Sequence, residues 1–156
     1  MKNFFCKLVI FMVCQGLFAQ GMDEEYAALQ AATLRYFEFV NHIGGDKDFD
    51  PNKSQICALE CKKIFNGELQ TKNREELVSQ LLSIKENRGH WTINPIDIVI
   101  SPQSRTVVFR DVIAIENEGA FTAIVILRYS PDFQVTEINE VFNEFKGMEH
   151  EIPKVR

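Results

Sequence analysis

The chain is predicted to be an α+β protein, with three N-terminal helices laid over a curved antiparallel sheet. Two observations carry that prediction. Up to His90 the apolar residues recur at spacings of three and four, the period of an amphipathic helix. Beyond His90 they alternate with a period of two through four long segments, separated by short turn sequences.

The elements follow in order. From Asp23 to Ile43, Tyr26, Leu29, Thr33, Phe37 and Val40 mark one helical stripe, and Gly44-Gly45 stops it. Asp50-Pro51 opens a shorter helix to about Leu59. Cys61 to Phe65 reads as a short strand and Asn66-Gly67 as a turn. Asn73 caps a third helix whose stripe is Leu77, Leu81, Leu82 and Ile84. The strands WTINPIDIVI, RTVVFRDVIAIE, AFTAIVILRYS and QVTEINEVFNEF then form a meander. A sheet of this kind, bent beneath a long helix, encloses a conical cavity.

At 156 residues the chain has room for one domain with a real core. Its first residues, MKNFFCKLVIFMVCQGLFAQG, combine Lys2 and Lys7 with an apolar centre, no acid and a small-residue exit. That is the layout of a secretory signal peptide over residues 1–19, cleaved after Ala19 or Gly21. The alternative is an uncleaved N-terminal anchor, although the apolar centre falls short of the roughly 20 residues a span needs. The expected organisation is therefore a leader, one domain over residues 22–147 and a flexible tail over 148–156. The mature protein is expected in the periplasm or outside the cell, with no stable membrane insertion.

Cleavage removes two lysines, leaving 15 basic residues against 22 acidic ones, a net charge of −7. Such a domain suits phosphate backbones poorly, so nucleic acid is not an expected partner. Cys57 and Cys61 become the only cysteines. Read as one helix, ICALEC sets them a turn apart, where bridging geometry is poor; a disulfide requires the helix to end between them. Without a histidine pair nearby they make no zinc site. No metal or cofactor motif, glycine-rich phosphate loop or Ser/His/Asp order is present.

The stretch VFRDVIAI sets the carboxylate of Asp111 inside an apolar run. On the pleat, Val107, Phe109, Asp111, Ile113 and Ile115 share one face, while Val108, Arg110, Val112, Ala114 and Glu116 share the other. The first face is bulkier and less charged, which turns Asp111 inward. A β-bulge near Arg110 would instead slip the register and send it to water.

The order of elements, with RYFEFVNHIGGD (35–46), KNREELVSQL (72–81) and LRYSPDFQVTEINEVFNEF (127–145), resembles the nuclear-transport-factor-two-like (NTF2-like) superfamily. That superfamily includes ketosteroid isomerases, SnoaL-like polyketide cyclases and limonene-epoxide hydrolases. The resemblance implies a cone-shaped fold. It places Tyr36 where ketosteroid isomerases keep an oxyanion-hole tyrosine. Their base aspartate falls near Ile64 to Asn66 and their second aspartate at Val125, and neither position holds a carboxylate. Without a base, isomerisation by that route is not expected. In the epoxide hydrolases two carboxylates are bridged by an arginine, with an asparagine and a tyrosine on the attacking water. Asp111 and Glu140 resemble the two acids and Asn66 the asparagine, but the bridging position holds Phe109. On the last strand the family pattern turns Ile138, Glu140 and Phe142 inward. Two inward carboxylates could share a proton.

Three functions compete. In the first, the protein binds a small apolar or amphipathic molecule against Tyr36, Asn66, Trp91, Phe109, Asp111, Val125, Ile138, Glu140 and Phe142. In the second, Asp111, Glu140 and Tyr36 perform acid–base catalysis on such a ligand. In the third, the convex face, with Val108, Val112, Ile124 and Ile126, pairs two copies or docks a partner. Binding ranks first, because each catalytic template lacks at least one essential group.

Overall fold

The computed structural model describes residues 2–45 and 48–143, with backbone alone for residues 2–20 and 143. The tail expected over residues 148–156 lies outside the described residues. Eight principal elements follow one another: α1 (Lys2–Gly44), β1 (Cys57–Phe65), β2 (Glu68–Thr71), α2 (Arg74–Arg88), β3 (Trp91–Ser101), β4 (Thr106–Ile115), β5 (Gly119–Tyr129) and β6 (Val135–Asn143). The strands form one sheet in the order β2-β1-β6-β5-β4-β3. The meander β3-β4-β5-β6 is antiparallel as expected, whereas β1 joins β6 in parallel, so the whole sheet is mixed. No helix among the described residues is long and apolar enough to cross a membrane.

α1 buries Leu29, Ala32, Thr33, Tyr36, Phe37, Val40 and Ile43 at spacings of three and four. Tyr26, expected on that stripe, is 45 % exposed, so the buried stripe starts at Leu29. The Asn41 side chain pins the helix to the sheet by accepting from Ile93 N at 2.7 Å and donating to Ile93 O at 3.2 Å. The helix stops where Gly45 N donates to Asn41 O. Gly44 is required by packing: a Cβ there would lie 2.1 Å from Trp91 O and 2.7 Å from the indole ring. His42 Nε2 accepts from Asp50 N, joining the end of α1 to the next segment.

The expected second helix is only a 3-10 turn, Pro51–Ile56, whose N-cap Asp50 accepts from Asn52 N. The chain is already extended at Cys57, not helical through Leu59. A wide irregularity in β1, five residue steps against two of β6, turns Leu59 and Glu60 outward and leaves Cys57, Ala58 and Cys61 buried. Helical spacing and a bulged strand thus leave the same apolar signature at these two positions. Both thiols are free. Asn66 and Gly67, at φ 49° and 85°, turn β1 into β2, a strand absent from the sequence reading. Asn73 caps α2 by accepting from Glu76 N. On α2 Leu77 and Leu81 are buried, while Leu82 sits at 36 % exposure on the outer side.

The bulge feared near Arg110 lies on the neighbouring strand instead. β3 spends Asp97 and Ile98 where β4 spends one residue, with Asp97 at φ 55°. β4 itself runs unbroken against β5, from Thr106↔Arg128 to Ile115↔Gly119. Its alternation therefore survives: Asp111 is buried and Arg110 is outside, 2.7 Å from Asp97.

Candidate functional site

Helices and sheet leave a cavity of about 470 Å³ at the open end of the cone. That volume falls within the roughly 300–1,000 Å³ of small-molecule sites. Tyr36, Asn66, Trp91, Asp111, Val125, Ile138, Glu140 and Phe142 all line it. Phe109 does not. It shares Asp111's face of β4, but Phe37 of α1 stacks on it edge-to-face, with ring centroids 4.9 Å apart, in the filled end of the cone.

Asp111 is 2 % exposed, and its Oδ1 has no hydrogen-bond partner. Burial first, and then the charge of Glu140, raise its carboxyl from 3.8 to about 7; the backbone N–H groups of Asn94 and Val112 oppose this in part. Glu140 and Asp111 are not neighbours on the sheet. β5 lies between them, with Val125 paired to Glu140 and Ala123 paired to Asp111. At strand spacing their backbones are on the order of 10 Å apart. They interact as charges across the hollow.

Glu140 has a counter-ion that sequence reasoning missed. Lys63 Nζ lies 3.0 Å from Glu140 Oε2, with the two side chains only 8 % and 12 % exposed. The neighbouring Lys62 points out and pairs with Glu137 at 2.9 Å. Two adjacent lysines on a strand must face opposite ways, which is the signal that was available. Which of them faces inward depends on the β1 irregularity and the parallel pairing, neither of which shows in the sequence.

Tyr36 is 4 % exposed, and its phenol is raised well above 10, first by burial and then by Glu140. It is a neutral hydroxyl on the wall. The resemblance cast Asn66 as a holder of water, but its side-chain oxygen accepts from Phe142 N at 2.8 Å while its own N–H donates to Glu140 O. That amide closes the β1–β6 edge and positions Glu140 and Phe142. Trp91 packs on Gly44 and presents its other side to the cavity, with Nε1 unpartnered. Gln80 Oε1 on α2 is a further unpartnered atom on the wall, and neither Gln80 nor Arg88 at the rim was anticipated. Among the described residues no three His, Cys, Asp or Glu side chains cluster as a metal site. On the outer face, Ile124 and Val141 are 43 % and 52 % exposed, while Val108, Val112 and Ile126 are half-buried.

No protein-family model matches the sequence, and no curated protein matches it either. Solved structures do. The NTF2-like protein from Anabaena variabilis ATCC 29413 superposes with a TM-score of 0.63 at 13 % identity, covering 76 % of this chain and 91 % of that one. An NTF2-like protein of unknown function from Exiguobacterium sp. 255-15 gives 0.62 at 14 % identity, covering 73 % and 99 %. An epoxide hydrolase from M. tuberculosis, of the limonene-epoxide-hydrolase-like type, gives 0.61 at 10 % identity, covering 76 % and 85 %. At such identities the likeness speaks for architecture and not for chemistry. The chain has the NTF2-like cone fold, with helices closing a curved α+β sheet around a hollow.

Proposed function

We propose that this is an exported protein that holds one small apolar or amphipathic molecule in its cone. The observation that carries the reading is the cavity, about 470 Å³, with an apolar wall and a few placed polar groups. Export rests on the leader-like first twenty residues. Native mass spectrometry of protein purified from its own organism tests both parts. The expected spectrum shows a chain beginning at residue 20 or 22 with a small-molecule adduct that denaturation releases. A chain retaining residue 1 contradicts cleavage of a leader, and bare protein that also refuses added apolar probes contradicts binding.

A second reading is favoured by one observation: Asp111, raised to about 7, faces a Lys63-paired Glu140 across the same hollow. A protonated acid and a charged carboxylate are the groups that acid–base chemistry on an epoxide or carbonyl compound requires. Small epoxides offered to the protein would then give diols, and Asp111→Asn would be silent. No turnover of such substrates leaves binding as the function.

A further inference from the structure

The cavity answers every charge on its wall except one. Lys63 pairs with Glu140 at 3.0 Å. Arg88, at the rim, is held by Glu118 through two contacts of 2.6 and 2.5 Å. Asp111 is the one carboxylate without a cation among the described residues lining the hollow. Its Oδ1 and Gln80 Oε1 are two of the three fully buried, unpartnered side-chain polar atoms among the described residues of the wall, and both are acceptors.

Aromatic rings stand beside it. The sheet pairs Asp111 with Ala123 and Ala123 with Phe142, so a single inward methyl separates the carboxylate from the Phe142 ring. That ring is centred 5.3 Å from Phe65 and 5.9 Å from Phe121. Ring faces carry negative potential and attract cations, most strongly where water is excluded. A buried carboxylate without a counter-ion is costly, and a cation brought to it offsets that cost.

We infer that the pocket accepts an organic monocation, an amine or quaternary ammonium head on an apolar body, seated between Asp111 and the Phe65–Phe121–Phe142 cluster. The inference rests on the small-molecule reading above and names its ligand class. With the Lys63–Glu140 pair neutral overall, one bound cation balances the site. The titratable groups around the hollow are Tyr36 from α1, Lys63 from β1, Arg88 from α2 and Glu140 from β6; the residues that β3 and β5 turn to it carry none.

The test compares benzyltrimethylammonium, whose charge does not vary with pH, with neopentylbenzene, its uncharged isostere, by calorimetry on the whole protein. At about pH 8 the cation binds at least roughly tenfold more tightly than the isostere. Between about pH 5.5 and 8.5 its affinity rises by at least roughly tenfold as Asp111 ionises, while that of the isostere stays level. Asp111→Asn removes the preference and the pH dependence but still takes up the isostere; the wild-type comparison decides alone if that variant does not fold. If the isostere binds equally well or better, or the cation weakens as pH rises, the inference is overturned and the small-molecule reading stands. If Asp111→Asn folds and keeps the cation preference, Asp111 is not the seat and the inference falls. If neither probe binds, both readings fall together.

Discussion

Lys63 reaches Glu140 across the parallel β1–β6 junction, Nζ to Oε2 at 3.0 Å, with both side chains nearly out of water. Removing one partner of such a pair strands the other charge in the cone. Lys63→Met should therefore cost about 3 kcal/mol, while the double variant Lys63→Met/Glu140→Leu recovers most of that loss. Denaturant midpoints of the three proteins check this. A near-neutral Lys63→Met would mean that Glu140 finds water where the structure buries it.

Asp111 gives the protein a pH signature of definite sign. Its carboxyl stands at about 7 when folded, against an ordinary 3.8. Between those values the native state keeps a proton that the unfolded chain has released. The stability that Asp111 contributes is thus fully present below about pH 4, falls away as pH rises to about 7, and then levels off. Asp111→Asn should abolish that slope and be the more stable protein at pH 8, by on the order of 3 kcal/mol. Unfolding midpoints at about pH 5 and pH 8 supply the measurement, and parallel slopes in the two proteins would contradict the burial of Asp111.

Gly44 is the contact on which α1 meets the start of β3. A methyl there would fall 2.1 Å from Trp91 O, a backbone atom that cannot yield without moving the strand. Gly44→Ala should lower stability by about 2–3 kcal/mol. Trp91 is the only tryptophan, so its emission reports the shift directly. Unchanged emission and stability would show that α1 can lift from the sheet at no cost.

How far the sequence reached differs from residue to residue. Asp111 was legible because β4 keeps an unbroken period of two, so its neighbours fix its face. Phe109 shares that face yet misses the cavity, because face and depth are separate properties: α1 fills the cone over Phe109 and leaves it open over Asp111. Lys63 was hidden by a strand irregularity and by pairing to a strand more than seventy residues later. The second helix failed for a local reason, since a strand that bulges between Cys57 and Cys61 repeats its buried positions at a helix-like spacing.

Titration of the protein with the uncharged dye N-phenyl-1-naphthylamine, beside Val125→Trp, addresses the hollow most directly. Val125 lies on the wall at 2 % exposure, and an indole there occupies the space a guest needs. The wild type should take up one dye per chain with enhanced fluorescence, and the folded variant none. No uptake by the wild type, or equal uptake by a folded Val125→Trp, would contradict a ligand-holding cone.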